Sequence, residues 1–231
     1  MNIHRNSLYF VGILIFLLLL FNQYMLISIA SGIMRDDAVY LTGDSAADAQ
    51  ILIFSKGVPE IYGFELGVKY DFDLRDQDMM NAMMEKMSTF DRGSKKIDVD
   101  ALPADFKKRY VNIGSRIACE FCCGAKTLIF PNGQPACECA HSSAMRGLAL
   151  YLMKNHSNEF SDERILQELA RWKSLYFPKQ MMKKYIEEIE TGNYTPDISA
   201  LTLGIKINGR KNAGFGLPAS FDSLPDMVGG C

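Results

Sequence analysis

Five of the six cysteines in this chain lie within 21 residues, between Cys119 and Cys139. In a disulfide-stapled fold, cysteines are usually spread along the chain so that bridges join distant segments. A cluster of this kind instead indicates one local site at which several sulfur atoms converge. We therefore expect the fold to be organised around this short segment.

The cysteine motif has two halves. The first reads Cys-x-x-Cys-Cys from Cys119 to Cys123, and the second, thirteen residues later, reads Cys-x-Cys-x-His from Cys137 to His141. Between them, residues 127–130 are rich in strand formers, and residues 131–133 read Pro-Asn-Gly, a turn signal. The spacing predicts a small β-hairpin that carries the cysteines and brings the two halves together.

Convergent thiolates are donors that a zinc ion prefers, because several negative sulfur atoms share its double charge in a tetrahedral site. The four predicted ligands are Cys119, Cys122, Cys137 and Cys139. Cys123 and His141 are candidates to replace one of them, to support them, or to bind a second metal. Zinc is the predicted metal, while an iron–sulfur cluster or copper would use similar soft donors and is less favoured.

Two interpretations without a metal stay open. A Cys-x-x-Cys pair such as Cys119 and Cys122 is typical of thiol–disulfide oxidoreductases, in which a lowered pKa activates one sulfur. The other is a set of two or three structural disulfides, and Cys231, after two glycines, is a further thiol for either the cluster or another chain. The sequence has no phosphate loop, nucleophile elbow or HExxH motif, so it assigns no catalytic residue.

The N-terminal region carries no charged side chain between Arg5 and Arg35. Within it, residues 8–29 are predominantly apolar, and about 20 apolar residues in a helix cross a bilayer. This pattern predicts an uncleaved single-pass transmembrane helix, with a cleaved signal peptide as its rival. Because Arg5 precedes the segment and Asp36 and Asp37 follow it, the N-terminus is expected in the cytoplasm and the rest of the chain outside.

The predicted location is therefore the cell membrane, with an extracytoplasmic C-terminal domain and the membrane as partner. An oxidising compartment favours disulfides over free thiols, so this location competes with the metal interpretation. Nucleic acid is not an expected partner. The 25 basic and 27 acidic side chains leave a net charge of only −2, and no basic block appears.

The chain after the anchor is predicted to be mainly α-helical. Apolar residues at three- and four-residue spacings, with capping residues at the ends, indicate helices. These helices are predicted over residues 46–54, 76–90, 103–110, 142–154, 162–172 and 178–191. Residues 61–72 are expected to be extended or turn-rich.

Four regions follow from this organisation. They are the cytoplasmic start and anchor at residues 1–34, a helical and turn-rich segment at 35–100, the cysteine-motif helical domain at 101–192, and an irregular Gly-rich tail at 193–231. In the second region, five methionines share one face of a predicted helix: Met79, Met80, Met83, Met84 and Met87. Thioethers bind Cu(I), but methionine is more often a flexible core filler, so we predict that this face packs in the core.

Residues 117–126, with residues 137–142, 171–173 and 177–178, resemble a group of uncharacterised archaeal membrane-anchored proteins that share a Cys-x-x-Cys-Cys-Gly and Cys-x-Cys-Ala-His motif. The resemblance covers roughly residues 55–190 and the terminal residues 228–231. A weaker likeness is to bacterial lipoproteins named for a Pro-Cys-Tyr-Cys-Gly-Cys motif, from which residues 136–141 depart at several positions. These resemblances imply a cysteine-centred domain and an anchor, and no reaction.

Overall fold

The computed structural model describes residues 40–41, 45–91, 97, 99–204, 206–207 and 221–230, together with six scattered positions between Gly12 and Gln23. The chain divides into two compact units, Met1–Val39 and Tyr40–Cys231. The cysteine motif lies in the second unit, whose architecture follows.

Helices dominate the described part of this unit. They are α1 (Ser45–Ile53), α2 (Tyr62–Leu66), α3 (Gln77–Ser88), α4 (Ala104–Gly114), α5 (Glu120–Cys123), α6 (Ala140–Asn155), α7 (Asp162–Tyr176), α8 (Pro178–Thr191) and α9 (Pro196–Leu201). Two short strands, β1 (Tyr40–Leu41) and β2 (Lys206–Ile207), pair in parallel. The prediction of a mainly helical chain is confirmed.

Local signals in the sequence place the ends of the longer helices. The Ser161 hydroxyl accepts a hydrogen bond from the Arg164 N–H at 3.3 Å and so caps the start of α7. Pro178 lies in the first turn of α8, where its missing N–H is not needed. Helix α8 ends at Gly192, whose φ of 72° lies in the left-handed region that glycine tolerates best.

The core is formed where α6 and α7 pack together, with α3 against α6, α9 against α7 and α1 against α8. Trp172 of α7 is fully buried at its centre. Four of the five methionines on the predicted α3 face, Met80, Met83, Met84 and Met87, are also buried, which confirms the core interpretation. A Cβ atom at Gly147 of α6 would lie 2.1 Å from the Met87 carbonyl oxygen, so the two backbones are in direct contact there.

The predicted β-hairpin between the two halves of the cysteine motif is wrong. Residues 128–136 do double back, but in this described segment one antiparallel bridge, between Ile129 and Pro135, takes the place of paired strands. Proline has no backbone N–H, so Pro131 and Pro135 each remove a donor that a ladder needs. The chain therefore returns through a turn, which still brings the two halves together.

The predicted transmembrane anchor is contradicted, and with it the single-pass membrane location and the membrane as partner. Among the described residues, no helix is both long and apolar enough to cross a bilayer. A span needs about 20 residues, whereas the longest described helix, α6, has 16 and buries the charged Arg146. Most of the predicted segment, residues 8–29, lies outside the described residues.

Candidate metal centre

Helix α5 positions the first half of the cysteine motif. Cys119 is the residue before the helix, and one turn brings Cys122 back towards it. Cys123 follows directly, and its Sγ donates to the Cys119 carbonyl oxygen at 3.6 Å. The helix stops after one turn at Gly124, whose φ of 67° is left-handed. The short helix and the residue before it therefore supply three of the sulfur atoms of the motif.

Aromatic and charged contacts fix α5 against the core. The Phe121 ring lies 5.5 Å from the Phe177 ring in an edge-to-face arrangement, and the Lys173 ammonium lies 5.0 Å from its centroid. Glu120 accepts from the Lys173 ammonium at 2.9 Å. The residues between the cysteines therefore orient the helix, which leaves the cysteine side chains available for binding.

The start of α6 positions the second half of the motif. Cys139 is the N-cap residue, and its Sγ accepts a hydrogen bond from the Ser142 N–H at 3.4 Å. A helix N-terminus favours negative charge on a capping group, so this position suits a thiolate. His141 lies in the first turn and is fully buried, while Cys137 precedes the helix and is half-buried.

Three sulfur atoms and one imidazole nitrogen converge between α5 and α6. The donor atoms of Cys119, Cys122, Cys139 and His141 all lie within 4.8 Å of one another, and we call this set the inner site. The Cys119 and Cys139 Sγ atoms are 3.6 Å apart. Two sulfurs on a tetrahedral zinc ion, each about 2.3 Å from the metal, would be about 3.8 Å apart, so the spacing fits a shared ion.

A second set of sulfur atoms lies beside the inner site. Cys123, Cys137 and Cys139 have their Sγ atoms within 4.8 Å of one another, and we call them the outer thiolate group. Cys139 belongs to both sets. All six predicted ligands are therefore gathered in one place, but Cys137 lies in the outer group and His141 in the inner site. No disulfide joins these five cysteines, and Cys231 lies outside the described residues.

His141 is held by a contact from the far end of the chain. Its Nε2 lies 2.9 Å from the Val228 carbonyl oxygen, which can only accept a hydrogen bond. The proton is therefore assigned to Nε2, and this tautomer leaves the lone pair on Nδ1. Packing against the rings of Tyr176 and Phe177, at 4.8 and 4.9 Å, fixes the imidazole plane. Histidine ligands in metal sites are commonly oriented through such a carbonyl contact.

The thiols of the site differ strongly in acidity. A hydrogen bond from Cys119 is the main cause that lowers the pKa of Cys139 to about 2, and Ser142 contributes further through its N–H. The same contact with Cys139, together with burial, raises the pKa of Cys119. Burial and the neighbouring Cys123 raise the pKa of Cys137 to about 11. In the absence of a metal, the negative charge of the cluster therefore concentrates on Cys139.

Two buried hydroxyls lie close to this negative charge. The Tyr176 hydroxyl has no hydrogen-bond partner within the described ranges, and the Ser142 hydroxyl helps to lower the pKa of Cys139. Burial raises the pKa of Tyr176, and electrostatic interaction with Cys119 and Cys139 raises it further. Unsatisfied donors are costly in a core, and thiolate lone pairs are acceptors for them.

A buried ion network underlies α5 and was not predicted from the sequence. The Lys173 ammonium donates to Asp197 at 2.6 Å, and the Lys184 ammonium donates to Glu120 at 2.6 Å and to Asp197 at 3.0 Å. Lys173 and Asp197 are almost completely buried. These four residues come from α5, α7, α8 and α9, and no sequence spacing connects them.

This network predicts a loss of stability in acid. Burial raises the pKa of Asp197, but the charges of Lys173 and Lys184 outweigh burial and hold that pKa well below its ordinary value of 3.8. A carboxylate with a lowered pKa stabilises the fold fully above its unfolded pKa and loses this contribution as the pH falls below it. The free energy of unfolding should therefore drop between about pH 5 and pH 2.

Urea unfolding across this pH range measures the effect. Asp197→Asn should show a shallower drop than the wild type, because it removes the titrating group. Metal release in acid affects both proteins equally, so the difference between their profiles isolates Asp197. Parallel profiles would contradict the assignment.

Comparisons with known proteins identify no relative of this chain. No family model, no curated protein and no solved structure matches the chain. The functional argument therefore rests on the cluster, whose five cysteines and one histidine have the donors and the spacing of a metal-binding site.

Proposed function

We propose that this is a zinc-binding protein whose inner site, Cys119, Cys122, Cys139 and His141, holds one zinc ion. The observation that carries the proposal is the convergence of three sulfurs and one imidazole within 4.8 Å. The contact from the Val228 carbonyl, which leaves Nδ1 as the unprotonated ring nitrogen, supports it further.

The donor set favours zinc over other metals. Three thiolates and one imidazole in a compact group suit a tetrahedral ion without redox chemistry. Four protein ligands close the coordination shell, which is typical of structural rather than catalytic zinc. Such an ion would join α5 to the start of α6 and, through His141, to the segment at Val228. The proposed role is thus to hold these three parts of the chain together.

Zinc content of two neighbouring variants tests the proposal. Full-length protein purified anaerobically and washed with a weak chelator should hold about one zinc ion per chain. Cys122→Ser should lose this ion, whereas Cys123→Ser, its neighbour on the same short helix, should retain it. Elemental analysis gives the metal content, and circular dichroism checks that both variants are folded. Equal zinc in the two variants would contradict the inner site.

One contact favours a second candidate, the thiol–disulfide oxidoreductase. Cys119 and Cys139 have sulfurs only 3.6 Å apart, and Cys139 is partly exposed at a helix N-terminus. A metal-free protein with one readily reduced disulfide, identified by peptide mass mapping, would support this function and exclude the zinc site. The predicted redox pair was Cys119 and Cys122, so the mapping also shows which cysteine reacts.

A further inference from the structure

We propose that the outer thiolate group is a second metal site, which takes a soft, thiophilic metal ion from solution. This inference rests on the proposed inner zinc site, because the two sites share the Cys139 sulfur. The structure brings Cys123, Cys137 and Cys139 within 4.8 Å of one another. Soft thiolate donors select ions such as Cu(I), Zn(II) and their heavier relatives over hard cations.

The outer group differs from the inner site in access and in ligand number. Cys123 is exposed and Cys137 is half-buried, whereas Cys119 and His141 of the inner site are fully buried. In the described part of the chain the outer group has three donors, so a four-coordinate ion keeps one position for a ligand from solution. An open position is the feature that separates exchangeable and reactive sites from closed structural ones.

The ligands of the outer group are held before any ion arrives. The Arg146 guanidinium donates to the Cys137 carbonyl oxygen at 2.5 Å and is itself paired with Asp91 at 2.7 Å. Cys123 is fixed at the end of α5, and Cys139 is fixed at the start of α6. Preorganised donors cost little entropy on binding, so the group suits an ion better than three mobile surface thiols would.

The inner site and the outer thiolate group share one sulfur atom. Cys139 can supply one sulfur lone pair to each ion and so bridge them. The result is a two-metal thiolate cluster with a closed inner position and an open outer one.

Anaerobic titration of the reduced, metal-free, full-length protein with cadmium tests this proposal. Cadmium binds thiolates as zinc does, and its charge-transfer absorbance counts the bound ions. The wild type should bind about two ions per chain, and Cys123→Ser and Cys137→Ser should each bind about one. Cadmium NMR should show two coupled resonances in the wild type, because the ions share a sulfur, and one in either variant.

The outcomes separate the two proposals. One ion in both the wild type and Cys123→Ser would leave the inner site intact and overturn the outer one. No tight ion in the wild type would overturn the inner site as well. Cys231→Ser is the matched control and should still bind two ions, and a drop to one would overturn the three-cysteine composition of the outer site. Cys137→Ser serves as the independent second variant if Cys123→Ser does not fold.

Discussion

Stripping the metal from the wild-type protein with a strong chelator should lower its melting temperature by about 8 to 16 °C. An ion present at about a thousand times its dissociation constant stabilises the folded state by about 4 kcal/mol. For a chain of this size, each 1 kcal/mol corresponds to about 2 to 4 °C. Thermal unfolding followed by circular dichroism, with and without chelator under reducing conditions, measures the shift.

The expected effect is large because few contacts hold the short ligand segment. None of the four residues of α5 is fully buried, so its attachment to the core depends on the contacts of Phe121 and Glu120. Residues 128–136, which connect α5 to the second half of the motif, form one β-bridge in place of a hairpin. A zinc ion bound to Cys119 and Cys139 would therefore supply the stability that a longer helix or hairpin gains by packing against the core.

Two variants make this prediction specific to the inner site. Chelation should leave the melting temperature of Cys122→Ser nearly unchanged, since that variant has no inner ion to lose. Cys123→Ser should keep most of the wild-type shift. A full shift in Cys122→Ser would mean that the stabilising ion is bound elsewhere.

The sequence predicted the longer helices well because their start and stop signals are local. Ser161, Pro178 and Gly192 each lie at a helix end in the structure, as their side chains favour. Helix α9 was missed, because the tail beyond residue 193 was expected to be irregular. Its Pro196 is a start signal, but the helix is only six residues long and is fixed by the distant partners of Asp197.

Helix α2 was missed for a different reason. Residues 61–72 are rich in aromatic and β-branched side chains, which favour extended backbone, yet Tyr62 to Leu66 form a helical turn. The Tyr62 hydroxyl donates to the buried Glu168 at 2.7 Å and accepts from the Trp172 indole at 2.8 Å. Tertiary contacts with α7 therefore override the local preference.

The cysteine cluster could be predicted, but its division into two sets could not. The spacing of Cys119, Cys122 and Cys139 indicates a shared site, and the structure gathers them. Cys137 and His141 are equally close to Cys139 in sequence, two residues on either side. The contact with Val228, 87 residues away, orients His141 inward, and no local pattern contains that information.

Replacing Arg146 with methionine should reduce the free energy of unfolding by about 3 to 5 kcal/mol. The guanidinium binds Asp91 through Nε at 3.0 Å and through a second nitrogen at 2.7 Å, with side-chain exposures of only 1% and 9%. Methionine fills similar space but leaves the Asp91 carboxylate buried with its main counter-charge removed. Urea unfolding measures the loss, and the double variant Arg146→Met/Asp91→Asn should recover part of it.

An exposed pair supplies the control for this prediction. Lys179 and Asp226 are 3.9 Å apart with side-chain exposures of 28% and 75%, so Lys179→Met should change stability by less than about 1 kcal/mol. Arg146 also holds the Cys137 carbonyl. The double variant should therefore regain stability without regaining the wild-type affinity of the outer group for cadmium. Recovery of both would mean that Arg146 acts on the cysteines only through the stability of the fold.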